Sequence, residues 1–267
     1  MLLKSRMSKE KIASIIIARG GSKRLPRKNV LPFCGLPLVE WSIMQSCCSH
    51  SVGRENTYLS TDDDEIAAIG ERYRIGVIRR PDWPNPDAVT GGQAFSHAVG
   101  EIEKQKEVEL MFRIMPTSPV RHPWDIDDMY KRWVELRADL PHLRELVSIV
   151  PNEETILYKL LENKQAIWHA LSGPGWFGTQ GIKVVLTDRE LYKVSEASGR
   201  FDINITKSSS WLDPAVEGFT QHYIEAEWYQ QFDIDYQDSF ELCEVLMNQY
   251  ILKGRGEEIY YDYRNNK

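Results

Sequence analysis

The sequence predicts an α/β fold, a mostly parallel sheet flanked by helices. Strand and helix signals alternate from about residue 12 to residue 150, and the opening strand is a β-branched run of the kind that is buried on both faces. No internal repeat or low-complexity tract breaks the rhythm. Repeated β-α-β units imply parallel strands joined by right-handed crossovers, with ligands seated beyond the carboxyl ends of the strands.

Each element has its own signal. Ala13 to Ala18 forms the first strand, and Pro37 opens a helix reaching about Cys48. "TYLS" (Thr57 to Ser60) is a second strand, and the carboxylates of "TDDDE" suit the positive end of the helix that follows. That helix carries Ile66, Ile69 and Tyr73 on one face, with Gly70 beside them. A third strand runs through Val77. Phe95, Ala98, Val99 and Ile102 stripe the next helix, which also holds His97 as a structural residue. Leu110 to Met115 is a fourth strand. Ile126, Met129, Tyr130 and Trp133 mark another helix, and Leu146 to Val150 a fifth strand.

After Pro151 the pattern changes to a glycine- and tryptophan-rich stretch, "WHALSGPGWFGTQG", which suits loops or an insertion. Lys183 to Leu186 resumes as a strand. Phe240, Cys243, Met247, Tyr250 and Ile251 share a face of the last readable helix. The expected organisation is therefore one α/β domain, residues 12–151 and 183–255. Residues 152–182, open to extension as far as 230, form an insertion.

The chain has 267 residues, of which 42% are hydrophobic, enough for a sizeable core. A net charge of −6 disfavours general affinity for nucleic acid or anionic membrane. The four cysteines form no CxxC pair, so reduced thiols in a cytoplasmic protein are expected. No apolar stretch has the length of a membrane span, and the amino terminus lacks the apolar segment of a signal peptide.

Against that acidic balance, "ARGGSKRLPRKN" (Ala18 to Asn29) concentrates Arg19, Lys23, Arg24, Arg27 and Lys28 just beyond the first strand. Three readings compete: a phosphate cradle, a nucleic-acid or localisation patch, and a solvated loop. Gly20, Gly21 and Ser22 let successive backbone N–H groups converge on an anion. The spacing matches neither a Walker A loop nor G-x-G-x-x-G, and Pro26 opposes an immediate helix. The loop thus stays extended and its cations can wrap a polyphosphate, the reading favoured over a localisation signal. Near the other end, "FDID" alternates apolar and acidic residues, so in an extended chain Asp233 and Asp235 share one face. Two such carboxylates can address one Mg²⁺, or can be plain solvated charges of an edge strand. Asp62 follows a strand end and is a candidate to face a nucleotide, whereas Asp63, Asp64 and Glu65 read as first-turn helix charges.

"IIIARGGSKRLPRKN" resembles the N-terminal signature of the acylneuraminate cytidylyltransferase family, the CMP-sialic acid synthetases and their relatives. The resemblance continues in order through "LSTDDDEIA", "RRPDWPNPD", "IMPTSPVR" and "FDID". It implies a Rossmann-like nucleotidyltransferase fold and transfer of CMP from CTP to an anionic acceptor with release of pyrophosphate. By the same resemblance, Arg19, Lys23 and Lys28 act on the triphosphate, and Gly20, Gly21, Ser22, Asn29, Arg80 and Asp87 bind the nucleotide. Asp233 and Asp235 match the family's metal pair, for Mg²⁺ with CTP as co-substrate. A homodimer is implied, with the insertion contributing to the acceptor site and dimer. No nucleic acid or membrane partner is expected.

The acceptor half departs from the family pattern. The glutamine before "PTSP" is Met115, and the stretch supplying arginines and an asparagine falls on Ala170, Gly178 and Gln180. Losing both arginines removes the clamp for a sugar carboxylate. The trial acceptor set is Arg121, His122, His169, Gln180, Lys183 and Arg189. A nonulosonic sugar acid follows from the resemblance; a smaller acid such as a phosphonate is the alternative acceptor, and a non-catalytic nucleotide-binding protein the alternative class.

Overall fold

The computed structural model describes residues 11–139, 143–149, 182–186, 220–230, 232–253 and 258–260. β1 (Ile12–Ile17) is buried along its whole length, as its unbroken apolar run requires. A two-residue hairpin follows the basic loop, with β2 (Pro32–Phe33) antiparallel to β3 (Leu36–Pro37). Its central residues, Cys34 at φ 47° and Gly35 at φ 83°, both take the left-handed conformation that a tight mirror-image turn needs.

α1 (Leu38–Cys48) begins one residue after Pro37, which stands at the N-cap. The helix is buried on every side but its end, and several of its inward polar groups are met by partners. Ser46 Oγ lies 2.8 Å from Ser14 Oγ and 2.9 Å from Thr57 Oγ1, and Glu40 accepts the Tyr73 hydroxyl at 2.6 Å. β4 (Thr57–Thr61) leads into α2 (Asp64–Arg72), whose N-cap is Asp63, accepting the Ile66 N–H at 3.0 Å. Gly70 sits where helix and sheet touch: a Cβ there would lie 2.8 Å from Val77 and 2.9 Å from Leu59.

β5 (Gly76–Arg79) follows, then α3 (Gly91–Glu103), started by a capping box between Thr90 and Gln93. β6 (Leu110–Ile114), α4 (Pro123–Asp139) and β7 (Leu143–Ile149) complete the first half. β8 (Ile182–Leu186), β9 (Thr220–Glu225) and α5 (Gln237–Leu246), which continues as a wider π-helical turn over Met247–Leu252, form the rest.

The sheet has the order β5-β4-β1-β6-β8-β7-β9. The β5-β4-β1-β6 half is parallel as expected. β8 departs from that pattern by running antiparallel between β6 and β7, while β9 pairs parallel to β7. One core cluster joins α1, α2, α4 and α5 across one face, and another joins α3 to the opposite face. Tyr250 does not share the buried face expected for it. It is 39% exposed and stacks on Tyr229, ring centroids 4.3 Å apart. Strand order reverses at β1, from which β4 lies to one side and β6 to the other, so a crevice opens between β1 and β6 at their carboxyl ends. Among the described residues no helix is long and apolar enough to cross a membrane. The sequence expectations on residues 152–181, including His169 and Gln180, and on Arg189 fall outside the described residues.

Candidate active site

The carboxyl ends of β1, β4, β5 and β6 deliver the sequence-predicted nucleotide residues to one edge of the sheet. The chain leaves β1 through Ala18, whose N–H donates to the Ser60 carbonyl at 3.0 Å. Gly20 N–H then donates to Asp62 Oδ1 at 2.9 Å, which fixes the loop to the end of β4. Only glycine fits at this point, because a Cβ would lie 2.4 Å from Asp63 Oδ2. At Gly21 a Cβ would meet nothing within 4 Å, so the loop borders open space there.

Inside the loop, Leu25 is buried as an anchor and Asn29 folds back, donating from Nδ2 to the Arg19 carbonyl at 2.8 Å. Two buried oxygens, Ser22 Oγ and Asn29 Oδ1, have no hydrogen-bond partner among the described residues. Such groups are costly unless a ligand or water meets them. Arg80 reaches the same place from the end of β5, donating to Ser60 Oγ at 3.1 Å and to the Ser60 carbonyl at 3.0 Å. Burial holds its guanidinium below the ordinary arginine value; Asp62 opposes that shift and nearby Arg19 adds to it. Arg19, Asp62 and Arg80 are thus electrostatic neighbours. Lys23 is exposed, and Asp87 lies in the short turn Pro86–Ala88.

The late carboxylates arrive from the other end of the chain. "FDID" is not part of any strand, yet its alternation holds: Ile234 is fully buried, while Asp233 and Asp235 face outward. Ile234 is fastened to the loop after β6, its N–H donating to the Thr117 carbonyl at 2.7 Å. Ser118 Oγ donates to Asp233 Oδ1 at 3.3 Å. Lys28 Nζ lies 3.2 Å from Asp235 Oδ1 and also donates to the Ile234 carbonyl. Arg24 pairs with the second oxygen of Asp235.

Asp233 is exposed at the surface yet partly desolvated by the protein around it. Desolvation raises its carboxyl pKa above the ordinary value; Thr117, Lys28 and Ser118 oppose that rise, and neighbouring Asp235 adds to it. The donor set here, two carboxylates with a serine hydroxyl beside them, is all oxygen, which suits a hard divalent cation. Arg27 has a different occupation. It ion-pairs with Asp63 and Glu65, and that contact holds the Asp63 carboxyl below its usual range.

The acceptor set fares differently. Arg121 does not fit the expectation of a ligand contact, because it is 0% exposed. Its guanidinium donates to the carbonyls of Met115 and Ser118 and to Ser42 Oγ, so it shapes the loop bearing Thr117 and Ser118. His122 does not fit the expectation of a cation: burial pushes its imidazole down to about 4, and its ring stacks on Trp124 with centroids 3.9 Å apart. Lys183 occupies the centre of β8, in register with Arg113 of β6 and Val147 of β7.

Sequence reasoning left out Ser60, Thr117 and Ser118. The signal for the last two was the "PTSP" phrase, whose position beyond a parallel strand end is where such sheets hold ligands.

Comparison with known proteins agrees with this fold. An N-acylneuraminate cytidylyltransferase of Oncorhynchus mykiss is 24% identical over 185 residues, 68% of this chain and 38% of that protein. A pseudaminic acid cytidylyltransferase of Campylobacter jejuni (serotype O:2) is 46% identical over 124 residues, 45% of this chain and 52% of that protein. The chain thus spans about half or less of the length of these relatives. A solved CMP:2-keto-3-deoxy-manno-octonic acid synthetase complexed with CTP superposes with a TM-score of 0.61 at 16% identity, covering 90% of this chain and 99% of that one, a likeness of fold. Residues 13–167 match the cytidylyltransferase family, to which this chain belongs.

Proposed function

We propose that the protein is a CTP-dependent cytidylyltransferase that moves CMP from CTP to an anionic acceptor and releases pyrophosphate. One observation carries this reading: Lys28 of the basic loop and Asp235 of the late acid pair, 207 residues apart in sequence, lie 3.2 Å from each other. Phosphate-binding cations and a carboxylate pair thus face one space, beyond the strand ends.

Within that space the residues divide the work. The unpartnered Ser22 Oγ and the cations Arg19 and Lys23 receive the triphosphate, with Lys28 placed between phosphate and acid pair. Asn29 Oδ1, also unpartnered, can accept an amino hydrogen of the base, near Arg80. Attack at the α-phosphorus leaves a pyrophosphate whose growing charge fixed cations stabilise in place. Asp233 and Asp235 would hold Mg²⁺, which neutralises phosphate charge when bound. Lys28 lies beside both carboxylates and keeps the pair from repelling the nucleotide when no metal is present.

The acceptor is a sugar acid. The relatives support this reading, since their names specify N-acylneuraminate, pseudaminic acid and an amino-dideoxy-octulosonate. With Arg121 buried and His122 neutral, the acceptor carboxylate finds its cations elsewhere. The test is pyrophosphate release from CTP with Mg²⁺ and a panel of nonulosonic acids, octulosonic acids and phosphonates. Turnover with a sugar acid is expected. Turnover with a phosphonate alone would replace the acceptor class, and no turnover with any acid would refute the transferase reading.

A further inference from the structure

We propose that Arg24 is a latch on the acid pair: it neutralises Asp235 in the ligand-free protein, yields that carboxylate to a divalent cation, and moves to the outer phosphates of the nucleotide. The inference rests on the reading of this cleft as a CTP site. It starts from an asymmetry between the two aspartates. Both oxygens of Asp235 are taken by cations, Oδ1 by Lys28 and Oδ2 by Arg24. Asp233 has no ion-pair partner among the described residues and accepts only hydroxyl hydrogen bonds.

A metal ion shared by the pair therefore finds Asp233 ready and Asp235 occupied, and one of the two cations must leave. Lys28 is poorly placed to go. Its side chain is 14% exposed and is held a second time by the Ile234 carbonyl. Arg24 is 59% exposed, and its other contact is the face of Tyr236, 5.5 Å from the ring centroid. That contact is weak at an exposed site and leaves the guanidinium free to swing. Arg24 is thus the residue that yields.

Its destination follows from its place in the chain. Arg24 sits two residues beyond Ser22 in the loop that also carries Arg19 and Lys23. A planar guanidinium fork matches phosphate oxygens as well as it matches a carboxylate. Charge stays compensated in both states: arginine on Asp235 without ligand, metal on Asp235 and arginine on phosphate with it.

The test uses Arg24→Gln and Arg24→Lys with Mn²⁺ as the probe. Free Mn²⁺ is read by electron paramagnetic resonance over nucleotide-free protein. Removing the competing cation should tighten Mn²⁺ binding two- to fivefold in Arg24→Gln, the size of an exposed ion pair. The same variant should bind CTP with Mg²⁺ about tenfold more weakly by calorimetry, for lack of a phosphate contact. Arg24→Lys should return Mn²⁺ affinity toward wild type and recover part of the nucleotide affinity. A residue with a merely structural role would weaken both ligands together. Equal Mn²⁺ affinity in wild type and Arg24→Gln, undetected binding in both included, overturns the latch. Unchanged nucleotide affinity overturns the transfer to phosphate. A wild type that binds no CTP while the Mn²⁺ difference stands overturns the nucleotide reading and leaves the Asp235 contact in force.

Discussion

Lys28→Met keeps the length of the side chain and removes the charge between the basic loop and the acid pair. At 3.2 Å, with an effective dielectric of about 20, the attraction to Asp235 is worth about 5 kcal/mol before other terms. Most of it is offset. Asp235 is 38% exposed and screened by water, while Lys28, 14% exposed, has given up much of its hydration. A net coupling of about 1–2 kcal/mol remains. A double-mutant cycle of Lys28→Met and Asp235→Asn, read by urea unfolding, should return that value. The effect on chemistry should be larger, because a fixed cation at developing phosphate charge is worth about 10²–10³ in rate. The assay is pyrophosphate release with saturating acceptor and varied CTP. The fall should appear in kcat as well as in KM. A Lys28→Met protein with normal unfolding and kcat/KM within about threefold of wild type would refute the placing of Lys28 at the triphosphate.

Three further outcomes follow from the same geometry. Gly20→Ala forces a Cβ to 2.4 Å from Asp63 Oδ2, disturbing an N-cap; stability should fall by about 1 kcal/mol and KM for CTP rise at least about tenfold, measured by melting and steady-state kinetics. Arg121→Met leaves the Met115 and Ser118 carbonyls without their donor; urea unfolding should show a loss of about 2–4 kcal/mol, with activity reduced through the displaced loop. Asp125 and His122 are pH-sensitive groups of opposite sign: the depressed His122 imidazole loses stability as pH falls from about 6.5 through 4, against the contribution of Asp125. Burial pushes the Asp125 carboxyl up to about 6 from 3.8, so its protonated form is favoured in the fold, and stability is lost as pH rises from about 4 through 6. Asp125→Asn can still accept the His122 and Gln230 N–H groups, both 2.7 Å from one oxygen. It should remove that loss, leaving the rise due to His122, and gain about 1–2 kcal/mol over wild type at pH 7 with little difference at pH 4, checked by unfolding at both.

The legible part of this molecule was the part written in local pattern. β1 carries an unbroken apolar run, and α2, α3 and the helix after β6 each carry a periodicity that burial enforces; the structure places all four where those patterns point. The alternation in "FDID" was legible for the same reason: Ile234 must turn inward, so its neighbours turn out. What local pattern does not encode is partnership between distant segments. The antiparallel insertion of β8 between β6 and β7 depends on which edges are free when the chain returns, and nothing in "KVVL" states it. The β2-β3 hairpin hid behind Cys34, a residue seldom found at positive φ. Arg121 and His122 illustrate the converse failure. A basic residue beside a site motif reads as a ligand contact, but burial decides instead, turning one into a brace for the Thr117 loop and leaving the other neutral. Arg24 and Arg27 were indistinguishable as letters. Their partners, Asp235 for one and Asp63 with Glu65 for the other, separate them.

Hydrogen exchange with CTP and Mg²⁺ added to the intact protein tests most directly whether both ends of the chain grip one triphosphate. Backbone amides of residues 18–29 and of residues 232–236 should gain protection together and at the same nucleotide concentration. Protection of the basic loop alone, with the acid segment unchanged at saturating ligand and metal, would contradict the account.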